Sequence, residues 1–415
     1  MSMAMQKSLK LTAACALILG GTQWANAAGL GPIGGAFGET KPIIDVRVRY
    51  ENVDQTGIAQ EADAGTVRAR LGFETGKAWN TSLLAEGEFV EAFVSDYNST
   101  VNGKTAYPVV ADPKNEEINR LQIVNTSIPQ TTLTIGRQRI NLDDQRFVGA
   151  VGWRQNEQTF DAVRVVNKGV KNLTVDAIYF NQVNRIFGKD SPQGTYEGDS
   201  FLGNVGYQFS FGKVTAFAYM IKIDPIVGVA AAVRDSNATY GIRYNGGTSV
   251  GKVKLSYFAS YAQQSDYGDN PLSFDNDYYA AEVTASFRQV SGGVGFESLT
   301  GDGVKGFTTP LATLHKFQGW ADKFLATPAN GLNDMYVNLG WSKKGVGPLD
   351  TLSATASYHD FKSQRLAFDA GGSEVDLQLL AKWHRFTGVL KYGDYMADGL
   401  FTDTKKLWVQ VEYVW

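Results

Sequence analysis

Ile44-Asp45-Val46-Arg47-Val48-Arg49-Tyr50-Glu51 alternates apolar and polar residues without a break. On an extended strand successive side chains point to opposite faces, so this stretch has one apolar face and one ionic face. The pattern recurs along the chain. Val67, Ala69, Leu71 and Phe73 interleave with Arg68, Arg70 and Glu74. Val253, Leu255, Tyr257, Ala259 and Tyr261 interleave with Lys252, Lys254, Ser256 and Ser260. Val375, Leu377, Leu379, Ala381 and Trp383 interleave with Glu374, Asp376, Gln378 and Lys382.

Eighteen such segments are expected, beginning near residues 41, 64, 80, 117, 131, 158, 171, 200, 212, 236, 251, 276, 291, 333, 349, 373, 388 and 404. Their connections differ in length. Residues 76–80, 128–131, 167–172, 210–213, 289–293 and 385–388 are short turns; 96–116, 141–157, 186–199, 264–275 and 301–332 are long loops. Short turns and long loops joining an even number of strands are the organisation of an outer-membrane barrel. A soluble sandwich or propeller has no reason to show this contrast in loop length.

The composition agrees. The 415 residues include 45 Gly, 23 Phe, 19 Tyr and 8 Trp, but one Cys and three His. Hydrophobic residues make up 43%, too many for a disordered chain. The net charge of −3 gives no basic footprint, so no nucleic-acid partner is expected. Past the N-terminus no run of ~20 apolar residues could form a spanning helix. Lys7 and Lys10, the apolar stretch from Leu9 to Gly20 and Ala25-Asn26-Ala27 form a signal peptide. Residues 1–27 are therefore expected to be removed, leaving 28–415 as one barrel domain of net charge −5 and no Cys. The exported chain is expected in a bacterial outer membrane, its apolar belt against lipid. The terminal strand, Leu407 to Trp415, ends on an aromatic; Trp415 resembles the signal read by the barrel-assembly machinery.

The expected fold is thus all-β: a transmembrane antiparallel β-barrel of about 18 strands. Function then belongs to its lumen. A charge on the lipid face costs ~2–4 kcal/mol near the midplane, so the charged sets face inward. These are Arg47, Arg49, Arg68, Arg70, Arg243, Lys252, Lys254, Arg288 and Lys382, against Asp45, Glu51, Glu74, Glu86, Glu88, Glu282, Glu374 and Asp376. Nine cations against eight anions give the lumen no strong overall sign. Arg47, Arg49, Arg68 and Arg70 form a basic ladder if the first two strands pair, with Glu86 and Glu88 opposite. The ladder is either an electrostatic filter for anions or a salt-bridge network in the wall.

A further Arg-rich segment runs from Gly136-Arg137-Gln138-Arg139 through Asn141-Leu142-Asp143-Asp144-Gln145-Arg146 and Trp153-Arg154-Gln155-Asn156 to Thr159-Phe160-Asp161-Ala162-Val163-Arg164. It resembles a signature of the bacterial alginate-export family of outer-membrane porins. Thr309-Pro310-Leu311-Ala312-Thr313-Leu314-His315-Lys316-Phe317, with Gly319-Trp320-Ala321-Asp322-Lys323-Phe324, is similar to a second. The resemblance implies an 18-stranded channel with an electropositive constriction for an anionic polysaccharide, lined by Arg137, Arg139 and Arg164. Their facing is left open by imperfect alternation, which a bulge would reconcile. Residues 301–332, carrying His315, Lys316 and Trp320, are expected to be an external lid or an infolded constriction loop.

The expected function is passive diffusion of small or polymeric anionic or carbohydrate solutes. An outer-membrane hydrolase and a surface adhesin on a closed barrel are the alternatives. Gly247-Thr248-Ser249-Val250-Gly251 matches a nucleophile motif, but it falls in a turn between strands rather than on a strand-to-helix elbow. Gly301-Asp302-Gly303-Val304-Lys305-Gly306 lacks the helix a phosphate cradle requires. His315, His359 and His384 are too scattered for a metal motif, and Asp266, Asp269, Asp275 and Asp277 read as turn residues. No catalytic residue, metal or cofactor is expected.

Overall fold

The computed structural model describes residues 31–366 and 371–415. The expected leader, residues 1–27, lies outside the described residues. A short helix, α1 (Pro32–Gly38), precedes the barrel. The strands follow as β1 (Lys41–Gln55), β2 (Ala62–Glu74), β3 (Thr81–Asp96), β4 (Asn115–Asn125), β5 (Thr131–Gln138) and β6 (Thr159–Asn167). Next are β7 (Leu173–Asn184), β8 (Thr195–Phe209), β9 (Gly212–Ile221), β10 (Asn237–Val250), β11 (Val253–Asp266) and β12 (Asp275–Phe287). The last are β13 (Val290–Leu299), β14 (Leu332–Val346), β15 (Leu349–Ser363), β16 (Gly372–Trp383), β17 (Phe386–Met396) and β18 (Thr404–Val414).

Every strand pairs antiparallel with its neighbours in sequence, and β1 closes the 18-stranded sheet on β18. Closure leaves no edge, as a lipid environment demands of any spanning sheet. Eight connections are short turns, several tightened by residues such as Asn80 and Asn172 at φ 58° and 66°. The long loops all lie at the other end. By the usual contrast of loop lengths that end is extracellular, which puts both ends of the sheet, Lys41 and Val414, on the periplasmic side.

The outer face carries the apolar sets that the sequence implied: Val48, Val205, Val283, Leu339, Leu377, Leu390, Val409 and Val411 are all exposed. Aromatic girdles flank this belt. Phe209 and Phe211 stack at one end, as do Trp383 and Phe386. At the other end the hydroxyls of Tyr179 and Tyr261 donate to Asp199 and Asp277 (2.6 and 2.8 Å), and Tyr50 donates to Asp63. An amphipathic ring at the headgroup level keeps its hydroxyl wet while its body stays in lipid.

The inner face departs from expectation on one side. Toward the extracellular end of β9 the inward residues are Phe217, Tyr219 and Ile221, all buried. They are apolar because the lumen beside them is filled. Phe147, from the loop between β5 and β6, packs at 5.0 Å from Phe217, 6.0 Å from Tyr219, 5.2 Å from Tyr278 and 6.1 Å from Phe307. A polar lining is therefore not uniform: loops folded into the barrel need an apolar wall to rest on.

Candidate functional site: a lumen crossed by two loops

Residues 139–158, joining β5 to β6, descend onto the wall formed by β18, β1, β2 and β3. Arg47 Nη1 donates to the carbonyls of Gly152, Trp153 and Arg154 at 3.0, 3.1 and 3.3 Å, and its other nitrogens hold Glu412. Arg49 donates to the Trp153 carbonyl (2.6 Å) and to Gln410, with its guanidinium 4.1 Å over the Trp153 ring. Arg68 pairs with Asp45 and Glu412, and Arg70 with Glu88 and, at 3.4 Å, Glu157. Arg49, Arg68 and Glu88 are at most 1% exposed. The ladder thus forms, but beneath a loop. Its guanidiniums satisfy loop carbonyls and wall carboxylates rather than facing open water.

Bulges make this wall possible. Between β3 and β4 the register shifts after Glu86, leaving Asn119 unpaired. Asn119 and Arg120, adjacent in sequence, can then both reach Glu86, at 2.7 and 2.8 Å. Strict alternation would send them to opposite faces. Asn119 also donates to Glu157 (2.6 Å), and Arg139 pairs with the same carboxylate. Burial opposes ionisation of Glu157, but Arg70 and Arg139 outweigh it and hold the pKa below the ordinary glutamate value.

Residues 300–331, between β13 and β14, fold into the lumen from the other side. Gly149 N–H donates to the Leu311 carbonyl (2.8 Å) and Thr313 N–H to the Gln145 carbonyl (3.0 Å), so the two loops are joined by backbone hydrogen bonds. Ion pairs reinforce the junction: Arg154 holds Glu51 of β1 at 3.2 Å and Asp322 of the second loop at 2.9 Å. Gly319, at φ 77°, lets the loop tip settle onto β16, where Ala321 N–H donates to Glu374 at 2.6 Å. A Cβ at Gly319 would fall 2.3 Å from the Glu374 carboxylate.

The joined loops divide the interior. Outside them lies a vestibule of about 400 Å³ that includes Arg146, Arg185, Tyr196 and Lys305. Inside is a chamber of about 560 Å³. Its wall combines aromatic faces such as Trp153, Phe258 and Trp320 with three cations, Arg243, Lys316 and Lys391, and four carboxylates, Asp144, Glu282, Glu297 and Asp334. His315 lines both cavities.

The residues singled out in the sequence divide accordingly. Arg47, Arg49, Arg68, Arg70, Glu86 and Glu88 are brought together with Arg139. Arg164 faces inward elsewhere, paired with Asp176 at 2.6 Å. Arg243 lines the chamber, 2.7 Å from Asp144 and 4.5 Å from the Phe258 ring. Arg137 does not join the constriction. It has the parity of exposed Ile135, its register partner Leu121 is exposed, and it pairs with Asp161 at 2.7 Å on the outer side. Lys252 and Arg288 also leave the inward set: both lie in exposed two-residue turns, β10–β11 and β12–β13. Lys254 keeps inward parity but is exposed near the periplasmic end of β11. His315, Lys316 and Trp320 are in the lumen, so residues 301–332 are infolded rather than an external lid.

Arg146, Trp153, Arg154 and Asp322 stand in the two family-like segments without an expected role there, and sequence reasoning missed Lys391 and Lys406. Lys391 and Lys406 lie at inward positions of alternating strands and were legible in principle. Ser249 lies in β10, opposite Lys254, and forms no elbow. Asp269 pairs with Lys222 and Asp277 accepts from Tyr261.

A closed barrel with an apolar belt, aromatic girdles and a lumen narrowed by infolded loops is an outer-membrane channel. The chain belongs to the alginate export family, whose sequence profile matches residues 44–269. That span includes the Arg-rich segment around Arg137–Arg164 and stops before the second resemblance at residues 309–324. Among solved structures, the chain is similar to Pseudomonas aeruginosa OpdK with vanillate (TM-score 0.69, 14% identity, 91% of this chain and 98% of that one). It is similar to Acinetobacter baumannii OccAB4 (TM-score 0.71, 15% identity, 91% and 98%). It is also similar to Pseudomonas aeruginosa OccK2 in complex with glucuronate (TM-score 0.66, 15% identity, 92% and 98%). No curated protein sequence matches the chain.

Proposed function

We propose that the barrel conducts small, ring-sized anionic solutes by passive diffusion, and that it excludes the polymers its family name suggests. The carrying observation is the junction of the two loops across the lumen, which leaves a chamber of about 560 Å³. That volume lies within the ~300–1,000 Å³ of small-molecule sites. Aromatic faces suit the faces of a ring, and Lys316 suits a carboxylate, since the chamber's acids are already engaged: Asp144 by Arg243, Glu282 by Tyr336, Glu297 by Arg146 and Asp334 by His359. Vanillate and glucuronate, named with two of the similar structures, are ring-bearing carboxylates. The reading includes removal of residues 1–27 on export, which N-terminal sequencing of the mature protein checks.

Reconstitution in planar bilayers and liposomes tests it. The channel is expected to pass current, to favour anions in reversal-potential measurements, and to admit glucuronate but not alginate oligomers. Absence of ion current would overturn the reading, and passage of long oligomers would overturn its size limit.

A further inference from the structure

Side chains from two loops converge on one wall residue. Lys391 of β17 lies with its Nζ 3.6 Å from the Trp320 ring centroid, 4.1 Å from Trp153 and 5.4 Å from Trp408. Trp153 comes from residues 139–158, Trp320 from residues 300–331, and Trp408 from β18. Three indoles offer their π clouds to a single ammonium. The same Nζ is 2.7 Å from His315 Nε2, and the His315 ring stacks on Trp153 at 4.5 Å and 4°.

The other side of His315 fixes its tautomer. His315 Nδ1 is 2.7 Å from Asp322, whose carboxylate also binds Arg154 (2.9 Å) and Lys406 (2.8 Å). A carboxylate held by two cations is ionised and accepts, so Nδ1 carries the hydrogen and donates. Nε2 is then free to accept from the ammonium. His315 is therefore a neutral link between an anion of its own loop and a cation of the wall, and its ring borders both cavities.

We propose that Lys391 and His315 form a proton-sensitive pin that narrows the passage between vestibule and chamber and so sets the size limit of the channel. Protonation of His315 removes the acceptor at Nε2 and places an imidazolium against an ammonium. Around it stand Asp322 of its own loop, Arg154 of the first loop, Lys391 of β17, Lys406 of β18, Arg49 of β1 behind Trp153, and Glu374 and Asp376 of β16 beside the loop tip. Burial, with Lys391 and Arg154, holds His315 well below the ordinary histidine pKa, against the pull of Asp322. The pinned state thus binds this proton less tightly than an opened one, and loses ground as pH falls below about 6.5. Arg47 and Arg49 of β1 keep the first loop in the barrel and Arg146 keeps the second through Thr309, so opening needs only the tip carrying His315 and Trp320 to shift, with Asp322 and Ala321 giving up their partners.

The test uses the full-length folded barrel in planar bilayers and in liposome-swelling assays with sugars of graded length. It compares wild type with Lys391→Met, Trp320→Ala and His315→Gln. At neutral pH Lys391→Met and Trp320→Ala should conduct severalfold more than wild type and admit longer sugars. Wild-type conductance should be steady near neutral pH and rise reversibly as the pH is lowered below about 6.5. His315→Gln should stay low and flat across that range, because its amide can donate to Asp322 and accept from Lys391 without titrating. Heat-modifiable electrophoresis identifies folded barrels; if Lys391→Met does not fold, Trp320→Ala and the wild-type titration carry the test. Wild-type conductance and size limit in folded Lys391→Met and Trp320→Ala would overturn the pin. A pH response in His315→Gln matching wild type, or none in wild type, would overturn the role of the proton. The inference rests on the channel reading, and the two fail differently: no current from any folded variant removes both, whereas current that ignores these substitutions removes only the pin.

Discussion

Arg146 and Glu297 lie 2.6 Å apart, an ion pair between the first loop and β13 with both side chains out of solvent. Tyr278 donates to the same carboxylate at 2.6 Å, and the guanidinium also reaches Thr309 at 3.1 Å. One pair thereby fixes the first loop to the wall and to the second loop. Removing one member leaves the other charge buried and unpaired, at a cost of ~3–5 kcal/mol. Arg146→Met is expected to lose roughly that much in denaturant unfolding, and Arg146→Met with Glu297→Gln to lose clearly less. Equal losses would mean the pair is not coupled.

Arg49 holds Trp153 by both its ring and its carbonyl. Arg49→Ala is expected to loosen residues 139–158 while the strands stay intact. Limited proteolysis should then cut within this loop in the variant and spare it in wild type. Identical digestion patterns would show that the loop does not depend on this contact.

Arg137 and Arg164 are both arginines of the family-like segment, but they point to opposite sides of the wall. Arg164→Ala is expected to shift the reversal potential toward cations. Arg137→Ala is expected to leave it unchanged, because its charge and that of Asp161 lie outside the lumen. Equal shifts in the two variants would contradict the assigned facing.

Glu157 anchors Arg139 and Arg70 with a pKa held below the ordinary glutamate value. A depressed acid contributes stability that is complete above its unfolded pKa of ~4.3 and is lost as pH falls through the folded one. Wild type should therefore lose stability below about pH 4 more steeply than Glu157→Gln, as followed by acid unfolding. Parallel curves would remove Glu157 from the acid response.

Trp415 packs its ring 3.5 Å from the Arg385 guanidinium, and its backbone N–H donates to the Ile44 carbonyl at 2.9 Å. Trp415→Ala is expected to reduce the yield of folded barrel in the outer membrane more than its refolding in detergent. A loss of equal size in both would assign Trp415 to barrel stability rather than to recognition by the assembly machinery.

The strands were legible because lipid enforces them. An outward charge is costly, so alternation survives wherever a strand meets the bilayer, and the expected starts fall within five residues of the observed ones. The interior was less legible because its partners are far apart in sequence. Arg146 and Glu297 are separated by 151 positions, and Arg47 and Glu412 by 365. No local pattern marks such pairs. One signal was available: Phe217, Tyr219 and Ile221 give β9 an apolar inward face, which a water-filled lumen would not tolerate. The outward turn of Arg137 was hidden for a related reason, since its cost is offset by Asp161 on the adjacent strand.

The pairing of β1 with β18 also couples closure of the barrel to the seating of its first loop. Arg47, Arg49 and Arg68 are oriented by Gln410 and Glu412, side chains of the strand at the far end of the sequence. Without β18, the two cations that hold the first loop, Arg47 and Arg49, lack those partners. Closing the cylinder and seating its stopper thus depend on the same two arginines, so a barrel that fails to close also loses the grip on what narrows it.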